Sequence, residues 1–307
     1  MKRLTTLLLV FTMLISLTAC GSGSSAAKAD AEAPQAAPET AAEVPAQDTQ
    51  DAAADPMAIS EEVVEEGMVP IGAENLVDGV YPVEMKSSSA MFKADHCELS
   101  VKDGRMEVTL YMTSGSYSFM FCGSAADAAG SDESARIPLA EGSEFNTFTL
   151  PLENLDEGAD FAAFSKKKEL WYDRTLLFRS DSLPIEAFAE GFLKTAESLG
   201  LSDGEYTAEV RLSGGTGKAT VSSPARITVE NGVCTAEIIW SSSKYDYVKI
   251  GEEQFLPVNT EGNSTFLLPV AFFDRGIAIL ADTTAMSQPH EIAYSLRFDS
   301  ETIQPAS

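Results

Sequence analysis

Side chains that could carry out catalysis are few in this sequence. The chain of 307 residues contains two histidines, His96 and His290. A hydrolase or transferase needs a nucleophile with a base beside it, and the sequence has no Gly-x-Ser-x-Gly, Walker or His-Glu-x-x-His motif. The acidic pair Glu252-Glu253 is predicted to be a solvated loop charge. We therefore predict that the chain is not an enzyme.

Aromatic residues and methionines form three segments that could bind a ligand. They are Ser89-Ala90-Met91-Phe92, Trp171-Tyr172-Asp173-Arg174 and the stretch from Met286 to Tyr294. In a strand, residues four apart share a face, so His290 and Tyr294 are predicted to point the same way. Such a pair could act as axial ligand and neighbour of a flat iron cofactor. The alternative is that His290 lies in a turn before the last strand and Tyr294 only packs.

The four cysteines are Cys20, Cys97, Cys122 and Cys234. Two arrangements are open for the last three, a Cys97–Cys122 disulfide or buried thiols on strands. Alternation with apolar neighbours places Cys97 and Cys234 on core faces, which favours buried thiols. A copper(I) site that uses His96, Cys97, Cys122 and nearby methionines is a third hypothesis, because thiols and thioethers favour copper(I). The inward direction predicted for Cys97 disfavours it.

The start of the chain indicates its compartment. Lys2 and Arg3 precede an apolar stretch that ends in Leu17-Thr18-Ala19-Cys20, as in a secretory signal. The stretch is shorter than the ~20 apolar residues of a spanning helix. Its end resembles the bacterial lipobox, which implies a signal peptide at 1–19 and a diacylglycerol on Cys20. We therefore predict an extracytoplasmic protein that is anchored to the cell membrane by lipid; the alternative is an ordinary signal peptide with a chance cysteine.

The segment 20–66 is acidic and rich in alanine and proline. It has few aromatic residues and no lasting periodicity, so it cannot bury enough apolar surface to offset the entropy of ordering. We predict a lipidated, disordered tether. The formal net charge of the chain is −26, which argues against nucleic acid as a partner because its phosphates require a basic face.

The chain after the tether is predicted to contain two copies of one domain. Segment 78–81 recurs as 203–206, and 147–151 recurs as 265–269. Both copies alternate apolar and polar residues as half-buried strands do, and Asp103-Gly104 and Asn231-Gly232 are tight-turn signals. The first copy has an extra loop near 125–134. We predict an all-β chain of two tandem immunoglobulin-like β-sandwiches, at 67–182 and 201–303.

Two segments connect or interrupt these strands. In 183–200, Ile185, Phe188 and Leu199 recur at helical spacing, which predicts a short connecting helix that Gly191 weakens. The glycine-rich stretch 214–218 is similar to a phosphate-binding loop, but strands are predicted on both sides of it. We therefore predict a hairpin loop there.

Each copy resembles a NEAT domain, the near-iron-transporter module of Gram-positive surface proteins. The resemblance is carried by the opening Asp-Gly-x-Tyr, by Ser89–Met91, by Pro224–Gly232 and by the closing Phe298-Asp299. It implies immunoglobulin-like domains that bind haem, with the iron held by the first tyrosine of a Tyr-x-x-x-Tyr motif and a propionate contacted by the loop serine. In the second copy the motif is His290-x-x-x-Tyr294, and in the first it is Tyr172 followed by Leu176.

The resemblance predicts a surface lipoprotein that binds haem or another iron-containing ligand for an ABC-type transporter in the membrane. The predicted cofactor-binding residues are Ser89, Met91, Phe92, Tyr172, Met286, His290 and Tyr294. Of these, His290 and Tyr294 are the predicted iron ligands. The alternative is a cofactor-free interaction module that binds a protein, a glycan or a cell-wall component.

Overall fold

The computed structural model describes residues 62–112, 114–285 and 290–306. The predicted signal peptide, Cys20, most of the predicted tether and Met286 lie outside the described residues. None of the described helices is long and apolar enough to cross a membrane. The described chain is almost entirely β-sheet, and it forms two tandem immunoglobulin-like sandwiches, as predicted.

The first sandwich is built from eleven strands and one short helix. These are β1 (Ile71–Gly72), β2 (Gly79–Pro82), β3 (Glu84–Ser87), β4 (His96–Lys102), β5 (Arg105–Met112), β6 (Tyr117–Cys122), α1 (Ala125–Gly130), β7 (Ile137–Pro138), β8 (Asn146–Leu152), β9 (Asn154–Leu155), β10 (Ala159–Ser165) and β11 (Leu170–Arg179). One sheet has the order β2-β4-β5-β8, the other has β3-β11-β10-β6-β7, and β1 pairs with β9. Leu99, Val108 and Leu150 of the first sheet share a buried core with Met120 and Phe178 of the second.

The second sandwich is built from ten strands. These are β12 (Gly204–Ala208), β13 (Val210–Gly214), β14 (Ala225–Glu230), β15 (Val233–Ile239), β16 (Tyr245–Ile250), β17 (Glu253–Phe255), β18 (Thr265–Pro269), β19 (Gly276–Thr283), β20 (His290–Phe298) and β21 (Gln304–Pro305). The sheets have the orders β18-β15-β14-β12-β21 and β13-β20-β19-β16-β17. Their facing side chains, among them Ile227, Ile238, Phe266, Ile279 and Phe298, form a separate core.

The two tight-turn signals lie where the sequence predicted them. Asp103 and Gly104 join β4 to β5, and Asn231 and Gly232 join β14 to β15. All four have positive φ, of 51°, 72°, 52° and 78° in chain order. Aspartate, asparagine and glycine tolerate this region best, which is why these dipeptides form two-residue hairpin turns.

A further duplicated feature is an aspartate that fixes the end of each sandwich. Asp156 accepts hydrogen bonds from the backbone N–H and the hydroxyl of Ser180, and Asp274 accepts the same pair from Ser300. Both aspartates have positive φ, 57° and 63°. The same geometry at two distant places in the chain supports a common origin for the two sandwiches.

The connector contains a short 3-10 helix, Ile185–Ala187, which fits the predicted short helical connection. The residues after it pair with the sandwiches, since Phe188 bridges to Leu76 and Lys194 bridges to Phe273. Gly191 has a φ of +77°, which an α-helix cannot accommodate. The helical segment therefore ends before Gly191.

The extra loop of the first copy is the helix α1, which begins at an N-cap on Ser124 and packs its buried Ala128 against the sheet. The glycine-rich segment Gly214–Gly217 is not a hairpin loop, contrary to the prediction. It leaves β13 in one sheet and leads to β14 in the other, so it is a connection across the end of the second sandwich.

Candidate functional site

A turn that follows β3 is fixed to β11 at one end of the first sandwich. The backbone N–H of Ser88 donates to the carbonyl of Thr175 at 2.9 Å, and the N–H of Thr175 donates to Ser88 Oγ at 2.9 Å. The N–H of Phe92 closes the turn on the carbonyl of Ser89 at 3.0 Å. Phe92 is buried, and its ring lies 5.2 Å from that of Tyr117. The serine and methionine of the predicted loop are thus held by backbone bonds and by an aromatic anchor.

Tyr172 lies on β11, three residues before Thr175. Alternation along a strand gives it the same face as Leu176, which is fully buried in the core. Tyr172 itself is only partly buried. Met91 is at the tip of the turn with 65% of its surface exposed. Ser89, Met91 and Phe92 therefore lie on one turn, and hydrogen bonds between Ser88 and Thr175 fix this turn to the strand that carries Tyr172.

Arg174 is a residue of this site that the sequence analysis did not single out. It is 3% exposed, and its guanidinium carbon lies 5.4 Å from the centroid of the Tyr172 ring. Its Nη1 donates to the carbonyl of Asp173 at 2.6 Å. A buried arginine is rare. The sequence indicated this one only by placing a cation two residues after a tyrosine on a predicted strand.

The end of the first sandwich therefore holds the partly buried phenol of Tyr172 and the exposed thioether of Met91, together with the buried side chains of Ser89, Phe92 and Arg174. A phenol oxygen is a ligand that ferric haem accepts in proteins. Apolar and aromatic walls with a few fixed polar groups are typical of sites for small ligands. Leu176, which the sequence analysis took as the second position of the motif in the first copy, is buried and supplies no polar group.

The equivalent end of the second sandwich is closed. Tyr294 is 6% exposed, and its hydroxyl is hydrogen-bonded to that of Tyr245 at 3.1 Å. Trp240 stacks on Tyr245 at 4.0 Å and meets Tyr294 edge-on at 5.3 Å. Burial, with the hydrogen bond to Tyr245, raises the pKa of Tyr294, so the phenolate that would bind ferric iron is disfavoured.

The glycine-rich connection lies directly over this tyrosine. A Cβ added to Gly215 would be 2.6 Å from the ring of Tyr294. Gly214 pairs with Tyr294 in the register of β13 and β20. Between β3 and β11 the pairing ends at Ser87 opposite Leu176, and the hydrogen bonds between Ser88 and Thr175 continue it, so that Ser89 and Arg174 come next on the two chains. The two sandwiches thus carry different residues at one structural position. In the second sandwich it is Tyr294, which lies under the glycine loop, and in the first it is Arg174, which lies beside the serine turn.

His290 begins β20, pairs with Thr283 and is exposed. It is on the same side of the strand as Tyr294, as the spacing predicted. The two do not form an open pair, because Tyr294 is enclosed by aromatic residues and the glycine loop. Tyr294 therefore packs in the core, as in the alternative raised from the sequence, but His290 is the first residue of β20 and not part of a turn before it.

Cys97, Cys122 and Cys234 are free thiols. Cys97 and Cys234 are buried core residues, as predicted, while Cys122 is exposed at the end of β6. Burial raises the pKa of Cys97 to about 12 and that of Cys234 to about 11. His96 and Cys97 are adjacent on β4 and face opposite sides, so they do not converge on a copper ion. In the described ranges, no three His, Cys, Asp or Glu side chains are grouped to hold a metal ion.

A second aromatic group lies on the outer face of the first sandwich. His96 stacks on Tyr111 with ring centroids 4.1 Å apart, and Phe145 meets His96 edge-on at 5.2 Å. Tyr111 donates to Glu98 at 2.6 Å. His96 is exposed and Tyr111 is partly exposed, so flat rings and a carboxylate are available there together.

No family model matches this chain, and no curated protein matches it. Among solved structures, it is similar to a point mutant of the IsdX2-NEAT5 domain in complex with heme. The match has 18% identity and a TM-score of 0.27, and it covers 32% of this chain and 97% of that domain. A TM-score this low carries no argument about the site, so the likeness to a NEAT domain remains weak.

Proposed function

We propose that the first sandwich binds haem, or a similarly flat iron-containing ligand, at the end formed by the Ser87–Phe92 turn and Tyr172. The observation that carries the proposal is the pair of hydrogen bonds between Ser88 and Thr175. It holds the turn beside the strand that presents the partly buried Tyr172. Haem would supply the iron, and the chain would supply an oxygen ligand, apolar walls and polar groups for the carboxylates.

Each residue of this end has a role that follows from its chemistry. Tyr172 would be the iron ligand, because its phenol is the iron-binding group on the open part of the core face. Met91 and Phe92 would pack on the macrocycle, which suits a flexible thioether and a fixed ring. Ser89 would donate its hydroxyl to a propionate. Arg174 would attract the carboxylates by its charge.

The second sandwich is assigned no haem in this proposal. Tyr294 would have to break its bond to Tyr245 and displace the glycine loop before it could reach iron. His290 has no aromatic ring within stacking distance among the described residues. We therefore assign the iron ligand to Tyr172 and not to His290 or Tyr294.

The place of action is also a proposal. The lipobox-like sequence at Cys20 supports a lipid-anchored protein outside the cell membrane, and an extracytoplasmic site that binds haem supports delivery to an ABC-type iron transporter. Metabolic labelling with a fatty acid tests the anchor. Label should appear in the wild-type chain and be absent from Cys20→Ser, whereas label in that variant would contradict the assignment.

Ligand binding is tested by titrating residues 62–307 with hemin and recording the visible spectrum. We expect a saturable Soret band in the wild type and its loss in Tyr172→Phe. Tyr81→Phe is the matched control, since Tyr81 lies in the same sandwich and its hydroxyl donates to the carbonyl of Val77. Equal spectra for all three proteins would remove Tyr172 from the site, and a wild-type spectrum identical to free hemin would refute haem binding.

The exposed stack of His96 on Tyr111 favours a second candidate, binding of a glycan of the cell wall. Sugar rings present C–H groups that pack on aromatic faces, and Glu98 could accept a sugar hydroxyl. Microcalorimetry with soluble peptidoglycan fragments should then give heat that is lost in Tyr111→Ala and kept in Tyr172→Phe. Absence of heat in the wild type would exclude this candidate.

A further inference from the structure

The segment Val63–Val69, called the strap below, lies between the two sandwiches. Three arginines of the second sandwich hold it. Arg297 Nη1 donates to the carbonyl of Gly67 at 2.7 Å, and Arg275 Nη1 donates to the carbonyl of Val69 at 2.7 Å. Arg211 forms an exposed ion pair with Glu66 at 2.7 Å. A segment that the sequence assigned mostly to the tether is thus bound through its backbone.

The same strap is bound to the first sandwich. Glu65 Oε1 pairs with Arg179 Nη1 at 2.9 Å and with Lys86 Nζ at 3.6 Å. Arg179 is fixed in turn by Asp181 at 2.7 Å. Val63 is 3% exposed, which anchors the start of the strap by burial. Seven consecutive residues therefore contact both sandwiches through charged and apolar groups.

The strap contains a turn at Gly67 whose backbone conformation favours glycine. Gly67 has a φ of +91°, and a Cβ added there would be 2.7 Å from Arg297 Nη1. Arg275 and Arg297 repel each other: burial is the main cause that lowers the pKa of Arg275, and the charge of Arg297 lowers it further. The carboxylates of Asp156 and Asp274 offset part of this repulsion. The strap carbonyls give both guanidinium groups hydrogen-bond acceptors, which removal of the strap would take away.

The strap also contacts the strands that carry the candidate ligand site. Lys86 is on β3 and Arg179 is on β11, and these strands pair with Lys86 opposite Leu177. The turn of Ser89 directly follows β3, and Tyr172 precedes Arg179 on β11. Glu65 thus pairs with one cation on each of the two strands whose ends form the site.

We propose that the strap couples the arrangement of the two sandwiches to the ligand site of the first. With the strap seated, Glu65 holds β3 against β11, and the serine turn stays docked beside Tyr172. With the strap released, by a pull on the tether or by a partner that takes its place, the turn loosens and the ligand is held less tightly. The ligand step rests on the proposed function, whereas the loosening of the turn does not.

Hydrogen exchange of residues 62–307 without ligand tests the coupling. Glu65→Gln keeps the shape of the side chain and removes the charge that pairs with Lys86 and Arg179. Glu66→Gln is the matched control, because the Glu66 side chain is 85% exposed in its ion pair with Arg211. We expect the amides of Ser88 and Thr175 to exchange roughly tenfold faster in Glu65→Gln, since a part-buried charge-assisted bond is lost, and to be unchanged in Glu66→Gln. Equal protection in both variants would overturn the coupling.

A second pair of variants tests whether a general loss of stability could explain the faster exchange. Gly67→Ala should displace Arg297 and loosen the same two amides. Gly104→Ala is its control, because Gly104 also has a positive φ, of +72° against +91° at Gly67, and has no neighbour within 4 Å of an added Cβ. Protection lost to the same extent in both glycine variants would also overturn the proposal. Hemin titration of Glu65→Gln then tests the ligand step, with a roughly tenfold weaker Kd expected. A wild type that binds no hemin would refute the proposed function, while the exchange result would stand on its own.

Discussion

The duplicated aspartates Asp156 and Asp274 accept the same pair of hydrogen bonds from a serine. Their surroundings, however, shift the pKa of the two carboxyl groups in opposite directions. Burial alone raises the pKa of Asp274, but hydrogen bonds from Lys194 and Ser300 outweigh it, so the pKa is lowered. Burial raises the pKa of Asp156, and the bonds from Ser180 do not offset it. We predict that the change to asparagine, which tolerates positive φ and keeps one oxygen acceptor, will have different effects at the two positions.

The loss in Asp274→Asn follows from the bonds that the carboxylate accepts. Hydrogen bonds to charged groups contribute ~1.5–3 kcal/mol, but Lys194 is 51% exposed, so solvent screens its share. We expect the free energy of unfolding to fall by about 1–2 kcal/mol near neutral pH. For a folded unit of this size that lowers Tm by about 2–8 °C. For Asp156→Asn we expect no loss, or a gain of up to about 1 kcal/mol, because an unfavourable buried charge is removed.

The dependence on pH gives the sharper test. The folded pKa of Asp274 lies below its ordinary value of 3.8, so its stabilisation is complete above that value and is lost as pH falls through the folded pKa. The folded pKa of Asp156 lies above 3.8, so its favourable state is the protonated one, and stability is lost as pH rises through the folded pKa. The cost of Asp274→Asn should therefore shrink in acid, while any gain from Asp156→Asn should appear only toward neutral pH.

Urea denaturation at several pH values between about 3 and 7 measures both effects. Trp171 reports on the first sandwich and Trp240 on the second by fluorescence, and circular dichroism follows both together. Equal losses for the two variants at pH 7, or a cost of Asp274→Asn that does not change with pH, would refute the reasoning.

Two further outcomes follow from burial and close contact. Cys122 should react with a maleimide before Cys97, whose thiol is buried with its pKa raised to about 12. Mass spectrometry of the partly labelled native protein measures the order, and earlier labelling of Cys97 would contradict its place in the core. Gly215→Val should destabilise the second sandwich by at least ~2 kcal/mol, because its Cβ meets the ring of Tyr294 at 2.6 Å. Gly217→Val, with a similar positive φ and no neighbour within 4 Å, should cost less in the same urea titration.

Much of the fold could be predicted from the sequence because it depends on local patterns. Alternation predicted the core faces of β5 and β15, and it placed Cys97 and Cys234 inside. The dipeptides at Asp103 and Asn231 predicted the turns, since positive φ is a requirement of the residue itself. The repeat predicted two sandwiches, because equal patterns form equal sheets.

The remainder depends on contacts between distant residues. Spacing could show that His290 and Tyr294 share a face, but not that Tyr245 and a glycine loop enclose the tyrosine. Arg174 was missed because nothing in a pattern of alternation distinguishes a buried cation from an exposed one. The strap was missed because an acidic segment without periodicity is predicted to be a flexible tether. The arginines that bind it are also distant from it in the sequence.

The number of haem molecules bound per chain at saturation decides whether Tyr172 is the iron ligand, and it can be measured for residues 62–307 and for two tyrosine variants. We expect one haem per chain in the wild type, none in Tyr172→Phe and one in Tyr294→Phe. Two haem molecules per chain, or binding that survives Tyr172→Phe and is lost in Tyr294→Phe, would contradict it.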